Sequence, residues 1–200
     1  MFYTTDSNDH GLPHDPIKAL IVPRPIGWIS SIGLDGAANL APYSFFNVFS
    51  SDPPIVGFSS ATRKDSQHNI EQSGEFVCNF ASADLIDQIN LTSSPVNSTV
   101  DEFELSGLSK VESHLISAPR VTEAHAHLEC RYLKTVELPN RPNSEISWGL
   151  ILGEVVAVHI DDAFIREGIV DTQAMQPLAR LGYLDYGTIG DVISKPRPSK

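Results

Sequence analysis

The run SWGLILGEVVAVHI, which ends at Ile160, constrains the fold more than any other stretch. It is nearly continuous in aliphatic residues, and its Val, Ile and Gly content suits an extended strand and not a helix. Ahead of it, Ala124, Ala126, Leu128, Cys130 and Tyr132 alternate with His125, His127, Glu129 and Arg131. That is the pattern of a half-buried strand whose polar side faces solvent. The segment RPIGWISSIGLDGAANLAPYS reads as strand, turn, strand, with Asp35-Gly36 supplying a hairpin signal. PPIVGFSS is a third strand, entered through Pro53 and Pro54, and Glu75–Phe80 is a fourth.

Helical signals are short. In RKDSQHNIEQSG, Asp65 or Ser66 is placed to cap a helix and Gly74 to end it, with Ile70 its one strongly apolar residue mid-helix. SADLIDQINL starts at Ser82 and gathers Leu85, Ile86 and Ile89 on one face, with Asp84 near the positive end. TVDEFELSGL reads as a third short helix ended by Gly107, and DTQAMQPLARLGYLDYGTI as helix then loop. The 14 prolines and 13 glycines are spread along the chain, which favours many short elements joined by turns. About six strands with short flanking helices predict a mainly β fold, a closed or partly closed antiparallel barrel. Residues 17–190 form the domain, residues 1–16 an N-terminal arm and residues 191–200 a flexible tail.

The net charge of −11 disfavours nucleic acid and anionic membrane surfaces as partners. An anionic ligand must therefore be held by a local cluster of donors. Cys78 and Cys130 lie inside apolar strand-like runs without metal spacing, and read as reduced core thiols. The first twenty residues are polar and acidic, with no secretory signal, and no run reaches membrane-spanning length, so a cytoplasmic location is expected. The sequons at Asn90 and Asn97 then read as chance matches.

Two stretches carry candidate chemistry. Arg63, Lys64, Asp65 and Ser66 fall where a strand hands over to a helix, whose first N–H groups lack intrahelical partners. They form either a phosphate site or an ordinary capped helix with solvated cations. In NLAPYSFFNVFSS, rings alternate with Ser44, Asn47, Ser50 and Ser51. Either a flat, polar-edged ligand such as a flavin lies against them, or Tyr43, Phe45, Phe46 and Phe49 are core or dimer interface. His125 and His127 share a strand face without a third metal ligand at matching spacing, and read as solvated. His159 reads as a partly buried structural histidine. No Gly-x-Gly-x-x-Gly, Walker loop or Gly-x-Ser-x-Gly elbow is present.

Taken in order, the Arg-Pro-Ile, the hairpin, Asn-x-Ala-Pro-Tyr-Ser-Phe-Phe-Asn, Asp-Pro-Pro, Lys-Asp-Ser and Gly-Glu-Phe motifs resemble the flavin reductase-like, FMN-binding split-barrel family. GEVVAVHIDD and PLARLGYLDYG are similar to its C-terminal motifs, so the likeness covers residues 17–190. The resemblance implies a six-stranded antiparallel Greek-key split barrel. It implies a homodimer with FMN, or in some members FAD, near the subunit interface. It also implies NAD(P)H as transient co-substrate and, in two-component systems, a monooxygenase or other electron-acceptor protein as partner. Activity would be NAD(P)H-dependent flavin reduction or, in flavoredoxin-like members, electron carriage. Hydride transfer is the cofactor's chemistry, and no side chain is assigned a catalytic role.

By position, Ser30 and Ser31 would sit near the flavin phosphate or ribityl chain, and Ser44, Phe45, Phe46 and Asn47 would border the ring. Ser59, Lys64, Asp65 and Ser66, helped by Arg63, would hold the phosphate, and Arg180 and Tyr183 would close the site. Tyr183 stands where the family pattern carries a glycine, a departure that bears on the nicotinamide approach.

Overall fold

A computed structural model describes residues 1–142 and 144–198. Its principal element is one antiparallel sheet of β1 (Gly27–Ile32), β2 (Ala38–Tyr43), β3 (Phe46–Ser51), β4 (Pro54–Ala61), β5 (Glu75–Phe80), β6 (Ala126–Leu138) and β7 (Trp148–Ile160). The order across the sheet is β2-β1-β5-β6-β7-β4-β3. Tyr43 of the first strand in that order meets Phe58 of the sixth at 4.4 Å between ring centroids, so the sheet curls into a barrel. The sheet holds seven strands where six are expected. The additional one is β3, the second half of the aromatic-polar stretch.

The expected strand at 148–160 forms at full length and pairs with both β4 and β6. β1 is buried on both faces. Ile29 points into the barrel with Phe58, Ile70, Phe76 and Ile151. Trp28 points out against Leu85, Ile89 and Phe103, which come from the helical layer. That layer is α2 (Ile86–Leu91), preceded by a 3-10 turn, and α3 (Glu102–Ser106). α1 (Asp65–Ser73) lies between β4 and β5, ends at Gly74 with φ +78°, and inserts fully buried Ile70 into the barrel. Cys78 and Cys130 are both buried and free.

Several local expectations are corrected. The residue preceding α1 is Lys64, and neither Asp65 nor Ser66 caps the helix with its side chain. Ser82 begins the 3-10 turn without a capping bond, and its buried hydroxyl has no partner. The helix expected after Asp171 is only a turn. Met175 N–H reaches Asp171 O, but Gln176 is left-handed at φ +47° and Pro177 follows, so no further turn can propagate. Of the polar side of the 124–132 pattern only Arg131 is exposed to water. The strand begins at Ala126, and residues 112–121 cover that side, leaving His127 and Glu129 buried. Glu129 accepts from the N–H groups of His114 and Leu115 at 2.7 and 2.8 Å and pairs with His159 Nε2 at 2.6 Å. His159 is thus a partly buried structural histidine, as its place at the strand end suggests. His127 Nε2 bonds Val121 O at 2.7 Å, and burial lowers its pKa to about 4. His125 is packed between Phe80 and Phe164. Among the described residues no group of three or more ligating side chains could hold a metal ion.

Candidate functional site

Where β4 ends, the chain turns through Thr62, whose φ of +60° is rare for a β-branched residue. Thr62 N–H donates to Ser147 O at 2.7 Å, and Lys64 N–H donates back to Thr62 O at 3.1 Å. The turn aims α1 and leaves Lys64 extended and exposed just before it. With no side chain capping the helix, its first N–H groups and positive dipole end remain for a ligand.

Behind this corner runs a buried polar network. Ser66 Oγ donates to Asn39 Oδ1 at 2.7 Å. Asn39 Nδ2 donates to Glu102 Oε1 at 3.0 Å, and Leu40 N–H to Glu102 Oε2 at 3.1 Å. Burial pushes the Glu102 carboxyl above its ordinary pKa, and the donors from Leu40 and Asn39 do not offset it. Tyr43 sits beside this network. Its hydroxyl is buried without a hydrogen-bond partner, and burial raises its pKa, so it stays a neutral phenol.

These groups border a cavity of about 760 Å³, within the range of small-molecule sites (about 300–1,000 Å³). One flank is aromatic: Phe45 stacks on Trp148 at 5.5 Å and 19°. A further wall carries Lys18, Arg24, Arg180 and Tyr183, and residues 92–96 complete the lining. Tyr183 is left-handed at φ +59° and its ring rests 5.5 Å from that of His14. A glycine at this position would adopt the backbone without strain.

Of the residues expected at the site, Ser44, Phe45, Ser59 and Lys64 line the cavity, as do Asp65, Ser66, Arg180 and Tyr183. Five others do not line it. Ser30 and Ser31 are fully buried, with Ser30 Oγ donating to Pro119 O at 2.5 Å and Ser31 Oγ to Asn39 Oδ1 at 3.4 Å. Phe46 packs on Gly27, where an added Cβ would lie 2.6 Å from its ring. Asn47 is exposed and its Oδ1 accepts from Val48 N–H at 2.8 Å. Arg63 pairs with Glu71 at 2.6 Å.

The sequence reading passed over Trp148, Glu102, Lys18 and Arg24. Trp148 opens a strand and Arg24 belongs to the Arg-Pro-Ile motif, but neither position announces a cavity. Glu102 is invisible because its importance comes from a contact 62 residues away.

A family model described as "Flavin reductase like domain" matches residues 19–178. An uncharacterized protein of Aquifex aeolicus is 32% identical over 188 residues, covering 91% of this chain and 92% of the relative. Among solved structures, nitrilotriacetate monooxygenase component B from Bacillus cereus superposes with a TM-score of 0.90 at 27% identity, covering 98% of each chain. The 2-nitrobenzoate 2-nitroreductase NbaA of Pseudomonas fluorescens gives a TM-score of 0.85 at 27% identity, covering 99% of this chain and 96% of that one.

Proposed function

This chain belongs to the flavin reductase-like domain family, and from that premise we propose that it is an FMN-binding, NAD(P)H-dependent flavin reductase. The observation that carries the reading is the uncapped start of α1, with exposed Lys64 beside it, opening on a cavity flanked by the stacked pair Phe45 and Trp148. The donor set fits a phosphomonoester: the first helix N–H groups, the Lys64 ammonium and the Ser59 hydroxyl border the cavity in a strongly acidic chain. Ser59 Oγ, Lys64 Nζ and the backbone N–H groups of Asp65 and Ser66 would hold the phosphate, while the Ser66 hydroxyl, committed to Asn39 Oδ1, fixes the start of the helix. Ser44, Phe45 and Trp148 would border the ring.

Bound flavin supplies the redox chemistry, taking reducing equivalents from a nicotinamide and releasing them to an acceptor. The chain's own contribution is alignment and exclusion of water. Val48 and Phe49 on β3, with Leu133, Val136 and Leu138 on β6, are exposed apolar residues. We assign them to a homodimer interface, which would enclose the aromatic flank. Similarity to a protein named as a monooxygenase component B supports a role in supplying reduced flavin to an oxygenase partner.

Binding is tested by flavin fluorescence titration. Lys64→Ala with Ser59→Ala is expected to weaken FMN at least tenfold while riboflavin, which lacks the phosphate, changes less than threefold. Equal losses would move the phosphate elsewhere. Turnover is tested by mixing the FMN-loaded protein with NADH or NADPH and following nicotinamide absorbance. Tight flavin without nicotinamide oxidation would replace the reductase reading with that of a flavoredoxin-like electron carrier.

A further inference from the structure

The cavity has a second cationic wall, whose side chains bond only to neutral groups. Arg24 and Arg180 lie directly opposite each other across a two-residue antiparallel pairing, Arg24–Pro25 with Ala179–Arg180. Like charges in such a pair destabilise it. Arg24 is 8% exposed. Its guanidinium donates only to neutral carbonyls: Lys18 O at 2.5 Å, Ile21 O at 2.8 Å and Leu181 O at 2.8 Å. Its Nε is buried with no partner. Arg180 donates to Tyr183 O at 2.8 Å and lies 4.4 Å over the Tyr186 ring. Lys18 is exposed on the same wall.

Among the described residues none of the three pairs with a carboxylate, although acidic side chains outnumber Lys and Arg by 25 to 14. Asp15 also lines the cavity, but its Oδ1 accepts from Ile17 N–H at 2.9 Å. A buried guanidinium without a counter-charge is costly, and a second one opposite it more so. An incoming anion relieves both, and guanidinium forks match phosphate oxygens.

We propose that Lys18, Arg24 and Arg180 form a second anion subsite that takes the diphosphate of an adenine dinucleotide, separate from the Lys64 corner. This rests on the flavin reading above and extends it. Arg24 is the fixed charge, clamped by three carbonyls. Arg180 and Lys18, being less buried, reach the ligand. Tyr183 and His14 form a paired-ring lip at the mouth against which a purine can stack. The diphosphate belongs either to FAD or to the nicotinamide dinucleotide, and the two share the recognition chemistry.

The test titrates ADP into the FMN-loaded protein by calorimetry and compares the wild type with Lys18→Gln/Arg180→Gln. The expected result is at least a tenfold loss of ADP affinity in the double variant, with FMN affinity in the stripped protein moving less than twofold for Lys18→Gln alone. Lys18→Gln alone, at an exposed position, gives about a threefold loss and covers the case in which the double variant misfolds. A tenfold loss for FAD relative to FMN assigns the subsite to the flavin's own tail. A tenfold rise in KM for the nicotinamide, with the FAD:FMN ratio unchanged, assigns it to the co-substrate. ADP binding equally well to the variants, or not binding the wild type, overturns the proposal. So does a loss of FMN as large as that of ADP. If the wild type binds no FMN, the flavin reading fails, and ADP titration of the unloaded protein still reads the subsite.

Discussion

Glu102 and Glu129 are both buried acids that bridge pairs of donors, yet their pKa values move in opposite directions. Burial pushes both carboxyls upward. At Glu102, beside the cavity, burial prevails: the donors are a side-chain amide and one strand N–H, and Asp101 adds repulsion. At Glu129, beneath residues 112–121, two backbone N–H groups and His159 prevail and hold the carboxyl below its ordinary range. What decides the charge of a buried acid is the number of donors and whether one can be a cation. The consequence differs by region. An acid inclined to neutrality repels an anionic ligand less, which suits the wall of a phosphate corner. A fully ionised one makes a latch, tying a long connection onto the barrel.

The contrast is broken most forcefully at the latch. Glu129→Ala orphans two N–H groups and leaves His159 without its carboxylate, and is expected to cost about 3–5 kcal/mol. Urea unfolding measures this, and a loss under about 1 kcal/mol would show that the latch carries no tension. The next effect is a pH limb. His127 is held near 4 in the fold against about 6.5 unfolded. The unfolded chain therefore binds more protons between those values, and stability rises with pH across that window. The gain is on the order of 3 kcal/mol. His127→Gln, which keeps a donor for Val121 O, should flatten this limb in melts from pH 4 to 7. Glu129 acts with the same sign at lower pH: its stabilisation is present above the ordinary carboxyl pKa and is lost as pH falls through its lowered one.

Glu102 has the opposite sign. With its pKa raised, its favourable share is full below the ordinary carboxyl pKa and is lost as pH rises through the raised value. Glu102→Gln is thus the smallest change, about 1 kcal/mol or less at pH 7. Its deficit against the wild type should widen toward pH 4. A deficit that narrowed on acidification would place both acids in one class.

Much of the barrel was legible because its strands follow period-two burial against one core. β1, β2 and β5 fall where Trp28, the Asp35-Gly36 turn and Glu75–Phe80 indicate. β3 escaped because two of its three apolar residues, Val48 and Phe49, are exposed and only Phe46 packs on the barrel, so the alternation that marks a strand does not track this chain's own core. The buried side of β6 escaped for the converse reason. His127 and Glu129 carry a polar pattern, and only a distant connection folding over them makes them interior. At the cavity, Lys64 and Ser66 were legible as the start of a helix. Trp148, Arg24 and Glu102 were not, since each reaches the cavity through tertiary pairing that no local spacing encodes.

Tyr183 offers a dial on this architecture. A left-handed backbone at a residue bearing a Cβ costs roughly 1–2 kcal/mol, so exchange for glycine would relax the chain while stripping the aromatic rim from the entrance. The aperture can therefore be widened by a substitution that is energetically downhill. A bare entrance and a guarded one stand a single side chain apart, on an unchanged barrel.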